Sequence, residues 1–232
     1  MRLKKIQARL EESQTNGTLV QITREGVEMW PLVGVVAGFD KWVLVATVNR
    51  QLQAQGFDAV RLRDITRVDP PLTEPLIQRV AEKTGKELVR QPAHELELGS
   101  TKALARTVID AKAFVGLFTY SHGTGHEIDA YSGRIGEIRN RIVAFDRISA
   151  NGSWDPSPLS LPMAEIARFG FDSVRQRTFQ LFGKDYPGGP HQPMDTSATL
   201  PQYDDIQPER KNDDFLGSLL REVGWLQAGS SD

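Results

Sequence analysis

The chain is 232 residues long, enough for one large domain or two small ones, and its 28 Lys and Arg against 30 Asp and Glu leave a formal net charge of −2, so no global basic field draws a polyanion to it. The absence of cysteine excludes disulfides, thiolate-bound zinc, iron–sulfur clusters and a thiol nucleophile. No stretch reaches the ~18 consecutive apolar residues of a membrane span, and Met1-Arg2-Leu3-Lys4-Lys5-Ile6 turns polar at Gln7 without the apolar core of a signal peptide, so the expectation is a cytoplasmic protein with no membrane partner.

Leu3, Ile6 and Leu10 recur at helical spacing and predict an opening helix that ends at a turn at Asn16-Gly17, with a strand at Leu19 to Thr23 behind it. Residues 33 to 48 read as a Gly-containing strand, a polar turn and a second, apolar strand. The unbroken Val43-Leu44-Val45-Ala46 run predicts burial on both faces, against the other part of the chain. Gln55-Gly56 suggests a hairpin loop. A short helix is expected from Glu74 to Lys83 behind a Thr73 cap, stopped by Gly85.

The same order then recurs. Leu104, Val108 and Ala111 predict a helix before a strand at Phe114 to Tyr120, and Ser173 to Phe182 predicts a closing helix behind Asp172, stopped by Gly183. Gly34 to Gly136 spans 102 positions, Val48 to Ile148 spans 100 and Ile65 to Ile166 spans 101, the mark of a duplicated unit. Each unit reads helix, about five short strands, helix. So few strands lose their exposed edges by curling into a small barrel, with Gly34 and Gly136 permitting the bend. The expected fold is therefore mainly β with flanking helices, two tandem Sm-like or SH3-like five-stranded barrels over 1–85 and 86–183.

Residues 184–212, with Gly188-Gly189 and five prolines between Asp185 and Asn212, are expected to be a disordered linker. Residues 213–227 carry an apolar stripe that predicts an amphipathic helix, docking on its own body or on a partner through Phe215, Leu219, Leu220 and Val223. Charge is split along the chain. Residues 185–232 hold nine acidic and three basic groups, which leaves the remainder at +4.

The segment Gly34 to Asp40 followed by Trp42-Val43-Leu44-Val45 resembles the first motif of the Sm-like (LSm) family, and Val60-Arg61-Leu62-Arg63-Asp64-Ile65-Thr66-Arg67-Val68 resembles its second. With Ser149-Ala150-Asn151-Gly152-Ser153-Trp154-Asp155, the chain to about Gly183 is similar to an uncharacterised bacterial family of tandem Sm-like domains. The resemblance implies RNA binding through the loop after the first motif's Asp and through the second motif's Arg-Gly. This chain departs from that pattern: Leu44 stands where an Asn is expected, Asp64 replaces the Gly after Arg63, and the second repeat has Asn140 opposite Asp40 and Ala164-Glu165 in its second motif. A ring of the usual kind would need three or more such chains, so an oligomer is one expected state.

The contact residues expected for RNA or a protein partner are Asp40, Arg61, Arg63, Arg139, Asn140 and Arg168, with Arg61 and Arg63 sharing a strand face. Trp30, Trp42 and Trp154 are either stacking platforms or core caps. His122, His126 and Asp129 are the densest set of metal-ligand types, and the simpler reading of their Gly-rich run is a hairpin loop. No Gly-x-Ser-x-Gly elbow and no phosphate loop are present. The expected function is a non-enzymatic binding module without cofactor. A metal-assisted hydrolase at His122 and His126 and a scaffold recruiting a partner through the terminal helix are the alternatives.

Overall fold

A computed structural model describes residues 2–49, 54–70, 95–120 and 128–187. The helix expected at Glu74–Lys83, the His122 and His126 loop, most of the linker and the helix at 213–227 lie outside the described residues. Every described residue falls in one unit, Met1–His191.

The described residues are mainly β, with helices α1 (Arg2–Asn16), α2 (Thr101–Asp110) and α3 (Val174–Phe182). The strands are β1 (Val20–Thr23), β2 (Leu32–Phe39), β3 (Trp42–Val48), β4 (Ala54–Arg61), β5 (Arg67–Asp69), β6 (Phe114–Tyr120), β7 (Ile128–Arg139), β8 (Ile142–Arg147), β9 (Leu159–Pro162) and β10 (Ile166–Phe171). All three helices stand where the apolar spacing expects them. α1 ends at Gly17, whose φ of 66° is the left-handed conformation that closes a helix and whose N–H returns to the Ser13 carbonyl at 2.9 Å. α3 is capped by Ser173 rather than the neighbouring Asp172, in a reciprocal capping box with Gln176. Gln55-Gly56 proves to lie within β4, not in a loop. There a Cβ on Gly56, at φ 101°, would stand 2.3 Å from the Phe171 carbonyl oxygen.

The ten strands form a single open antiparallel sheet in the order β5-β1-β2-β3-β4-β10-β6-β7-β8-β9. Its first five members repeat as its last five, since 5-1-2-3-4 becomes 10-6-7-8-9 when each number advances by five. The expectation of two separately closed barrels is replaced by one continuous sheet, because β4 finds its second neighbour in β10 through Arg168↔Val60, Phe169↔Ala59, Gly170↔Asp58 and Phe171↔Phe57. The junction strands are eight and six residues long, whereas the outermost strands β5 and β9 have three and four, the shortening expected of exposed edges.

The duplication is legible in single hydrogen bonds. The Leu62 N–H donates to the Lys41 carbonyl at 2.9 Å, and the Met163 N–H donates to the Arg141 carbonyl at 2.8 Å. Gly34 and Gly136, however, are not equivalent. Gly34 pairs with Thr47 three positions before the bulge at Ala37, and the residue in that place in the second half is Gly133, paired with Arg147 three positions before Gly136, which is the bulge itself. The reason is steric: a Cβ would stand 2.2 Å from the Ala46 oxygen at Gly34 and 1.9 Å from the Asp146 oxygen at Gly133.

Both faces of β3 are buried, as its unbroken apolar run predicts. Val43 and Val45 enter a core with Ile6 and Leu10 of α1 and with Ile22, Val36, Val60 and Val68. Trp42, Leu44 and Ala46, on alternate positions, enter a second core with Leu104 and Val108 of α2 and with Leu117, Phe145, Ile166 and Phe169. The second core is thus shared between the halves, with Trp42 edge-on to Phe169 at 5.2 Å between ring centroids.

Candidate functional site

The turn after β4 and the tip of the β2–β3 hairpin meet at the Leu62–Lys41 hydrogen bond. The side chains there divide sharply. Arg61, the last residue of β4, is buried, and Arg63 lies in the 3₁₀ turn Leu62–Asp64 with a side chain 66% exposed. The two do not share a face, because the strand alternation ends at Arg61.

Arg61 points into the second half. Its Nε donates to the Ile166 carbonyl at 2.6 Å, and its Nη2 donates to the carbonyls of Met163 at 2.5 Å and Ala164 at 3.3 Å. The guanidinium also stacks on the Trp42 ring at 5.0 Å. Burial lowers its pKa, partly offset by Tyr120 and Asp64. These donors are occupied by the backbone of the turn equivalent to its own, so Arg61 is an internal clasp rather than a ligand contact.

Arg63 stays outside. Its Nε lies 3.6 Å from Asp64 Oδ1, and Tyr120 of β6 donates its hydroxyl to Asp64 Oδ2. The Arg63 pKa is raised, first by its hydrogen bond with Tyr120 and further by Asp64. Tyr120 is in turn pushed up, first by burial and then by its bond to Asp64. Asp64 therefore orients Arg63 and ties the turn to the second half.

A cavity of about 390 Å³ opens at this point. Lys41 and Arg63 supply its exposed cations beside the engaged Arg61, Leu3, Trp42 and Leu62 its apolar wall, and Ser100 and Thr101 at the start of α2 complete its lining. Ser100 caps α2 through its hydroxyl, which accepts from the Ala103 N–H at 3.0 Å. Lys41 is exposed at the hairpin tip. Sequence reasoning passed over Lys41, Ser100 and Thr101. Lys41 stands in the polar turn between β2 and β3, and nothing local tells that α2 begins beside it.

Asp40 is exposed, and its carboxylate lies so near Gly99 that a Cβ there would come within 3.2 Å of Oδ2. Its backbone N–H closes the hairpin onto the Trp42 carbonyl at 2.9 Å. Asn140 and Arg141 form the corresponding tip of the β7–β8 hairpin with φ of 45° and 68°, a two-residue reversal suited to Asn. Arg139 pairs with Glu137 at 2.9 Å. Arg168 is held inside the junction by Glu28 at 2.9 Å and Asp58 at 3.5 Å, with its guanidinium 3.6 Å from the Phe118 ring centroid. Glu28 also binds the fully buried Arg24, whose Nη1 donates to the Ala167 carbonyl at 2.9 Å. Burial, offset by Arg168, raises the pKa of Asp58.

Arg61 and Arg168 thus join the halves, while Arg63, Arg139 and Asn140 face outward. Of the tryptophans, Trp42 is core, Trp154 packs on Phe114 and Tyr186, and Trp30 is exposed. Asp129 is the second residue of β7, opposite Thr119, and among the described residues no group of three His, Asp or Glu side chains is placed to hold a metal. No protein-family model, curated protein or solved structure matches the chain.

Proposed function

We propose that the chain is a non-enzymatic binding module made of two Sm-like halves, and that the cavity beside Lys41 and Arg63 receives a phosphodiester of single-stranded RNA. The repeated strand order and the paired Leu62–Lys41 and Met163–Arg141 hydrogen bonds support the Sm-like reading of each half. The observation that carries the RNA reading is the pairing of two outward cations with an apolar wall at the mouth of one cavity. A nucleotide offers a phosphate to the first and a base face to the second.

The +4 balance of residues 1–184 is consistent with modest, local attraction rather than a strong global field. The test is fluorescence anisotropy of a labelled 12-nucleotide RNA titrated with the full chain from 50 to 200 mM salt. Lys41→Ser with Arg63→Ser is expected to flatten the logarithmic salt dependence by about 1.4, at ~0.7 per phosphate contact on a single strand. Unsaturable binding by the unaltered protein, or an unchanged slope in the double variant, overturns the reading.

A further inference from the structure

Met163 and Arg141 occupy in the second half the positions of Leu62 and Lys41 in the first, as their matching hydrogen bonds state. A second cavity, of about 470 Å³, opens at that place. Its chemistry is assembled differently. Ala164 stands where the first half has Arg63, and the missing cation is replaced by Lys102 and Arg106, one turn apart on α2, which line the cavity together with Arg141. None of the three has a hydrogen-bonded or ion-paired acidic partner among the described residues.

Glu137 lines the same cavity. Its Oε2 is taken by Arg139 at 2.9 Å, whereas its Oε1 is buried without a hydrogen-bond partner among the described residues. Three unpaired cations beside a buried, orphaned acceptor suit a ligand that is anionic and also brings an N–H or O–H donor. Inorganic polyphosphate offers the charge alone. A ribonucleotide offers phosphate together with a ribose hydroxyl or a base amine.

The two cavities are also adjacent. Thr101 lines the first and Lys102 the second, and consecutive Cα atoms stand about 3.8 Å apart, so the cavities flank the same first turn of α2. We infer that they are consecutive subsites of one track, and that a single RNA strand crosses the start of α2 from Lys41 and Arg63 to Lys102, Arg106 and Arg141. This rests on the RNA reading of the first cavity and extends it to a second subsite lined by the second half, so that the track as a whole is one that neither half possesses alone.

The experiment uses the full chain and the labelled 12-nucleotide RNA, with three proteins compared: unaltered, Lys41→Ser/Arg63→Ser, and Lys102→Ser/Arg106→Ser/Arg141→Ser. Far-ultraviolet circular dichroism and thermal melting confirm that the surface variants fold. The triple variant is expected to bind about tenfold more weakly and to flatten the salt slope by about 2, with one strand per chain in the unaltered protein. Unchanged affinity and slope in the triple variant, while the double variant loses binding, overturns the second subsite and leaves the first reading standing. Loss in the triple variant alone supports the second subsite and overturns the first reading. Two strands per chain overturns the track. Inorganic polyphosphate displacing the RNA as effectively as unlabelled RNA of equal charge overturns the ribonucleotide assignment. Absence of RNA binding by the unaltered protein overturns both readings.

Discussion

The two halves of the sheet share a strand order and have diverged in what they do with the turn that follows their fourth strand. In the first half that turn projects Arg63 to solvent, held from behind by Asp64 and Tyr120. In the second half the carbonyls of Met163 and Ala164 in the corresponding turn, and that of Ile166 at the start of β10, are engaged by Arg61 of the first. Position 61 of one copy has become a fastener for the other, and Pro162 stands at the corresponding place in β9. Duplication freed each copy to specialise: one turn keeps its outward cation, and its twin accepts the joint.

Three changes sharpen or break this comparison. The largest effect is expected from Arg61→Met, which keeps bulk against Trp42 but strands three carbonyls in the junction. The cost is about 3 kcal/mol, read as a lower urea midpoint. A change below about 0.5 kcal/mol would mean that the joint does not depend on the clasp. Next, Gly34→Ala and Gly133→Ala are each expected to cost about 2 kcal/mol, because each new Cβ meets a carbonyl oxygen across the hairpin. Should Gly136→Ala instead match Gly34→Ala, and Gly133→Ala prove harmless, the alignment of the halves would be wrong.

The smallest effect concerns Asp58, whose counterpart in the matching of the halves is Leu159. Its folded-state pKa lies above the ordinary 3.8 because burial outweighs the attraction of Arg168. The folded state therefore holds the proton more tightly than the unfolded chain. The contribution to stability is full below 3.8 and is lost as pH rises through the elevated value. Asp58→Asn should remove that decline from a series of urea midpoints taken from pH 3.5 to 7. An identical pH profile in the variant would show that the group is not shifted.

Local signals in the sequence accounted for the helices and most strands, because each depends on neighbours in the chain. Ser173 and Gln176 make their capping box within four residues, and the Val43 to Ala46 run announces burial on both faces by its own composition. The repeat was visible for the same reason. What sequence patterns could not convey was which edges meet: β4 and β10 pair across more than a hundred positions, with no periodic mark of the choice. That pairing decides the fate of Arg61 and Arg168, which read as surface cations and are drawn inside by it. The glycine correspondence failed over a narrower matter, a one-residue difference in the hairpin turns, where Asn140-Arg141 reverses the chain more tightly than Asp40-Lys41-Trp42.

The central position of β10 sets the timetable by which this protein can be made. Among the described residues, the strand that completes the middle of the sheet is the last to leave the ribosome, so a growing chain that has already produced residues 54–61 lacks the partner of that edge until residue 171 has emerged. Termination or stalling before that point leaves β4 without the backbone partner that β10 supplies. Nascent fragments of this chain should depend on chaperones far more than its finished form does.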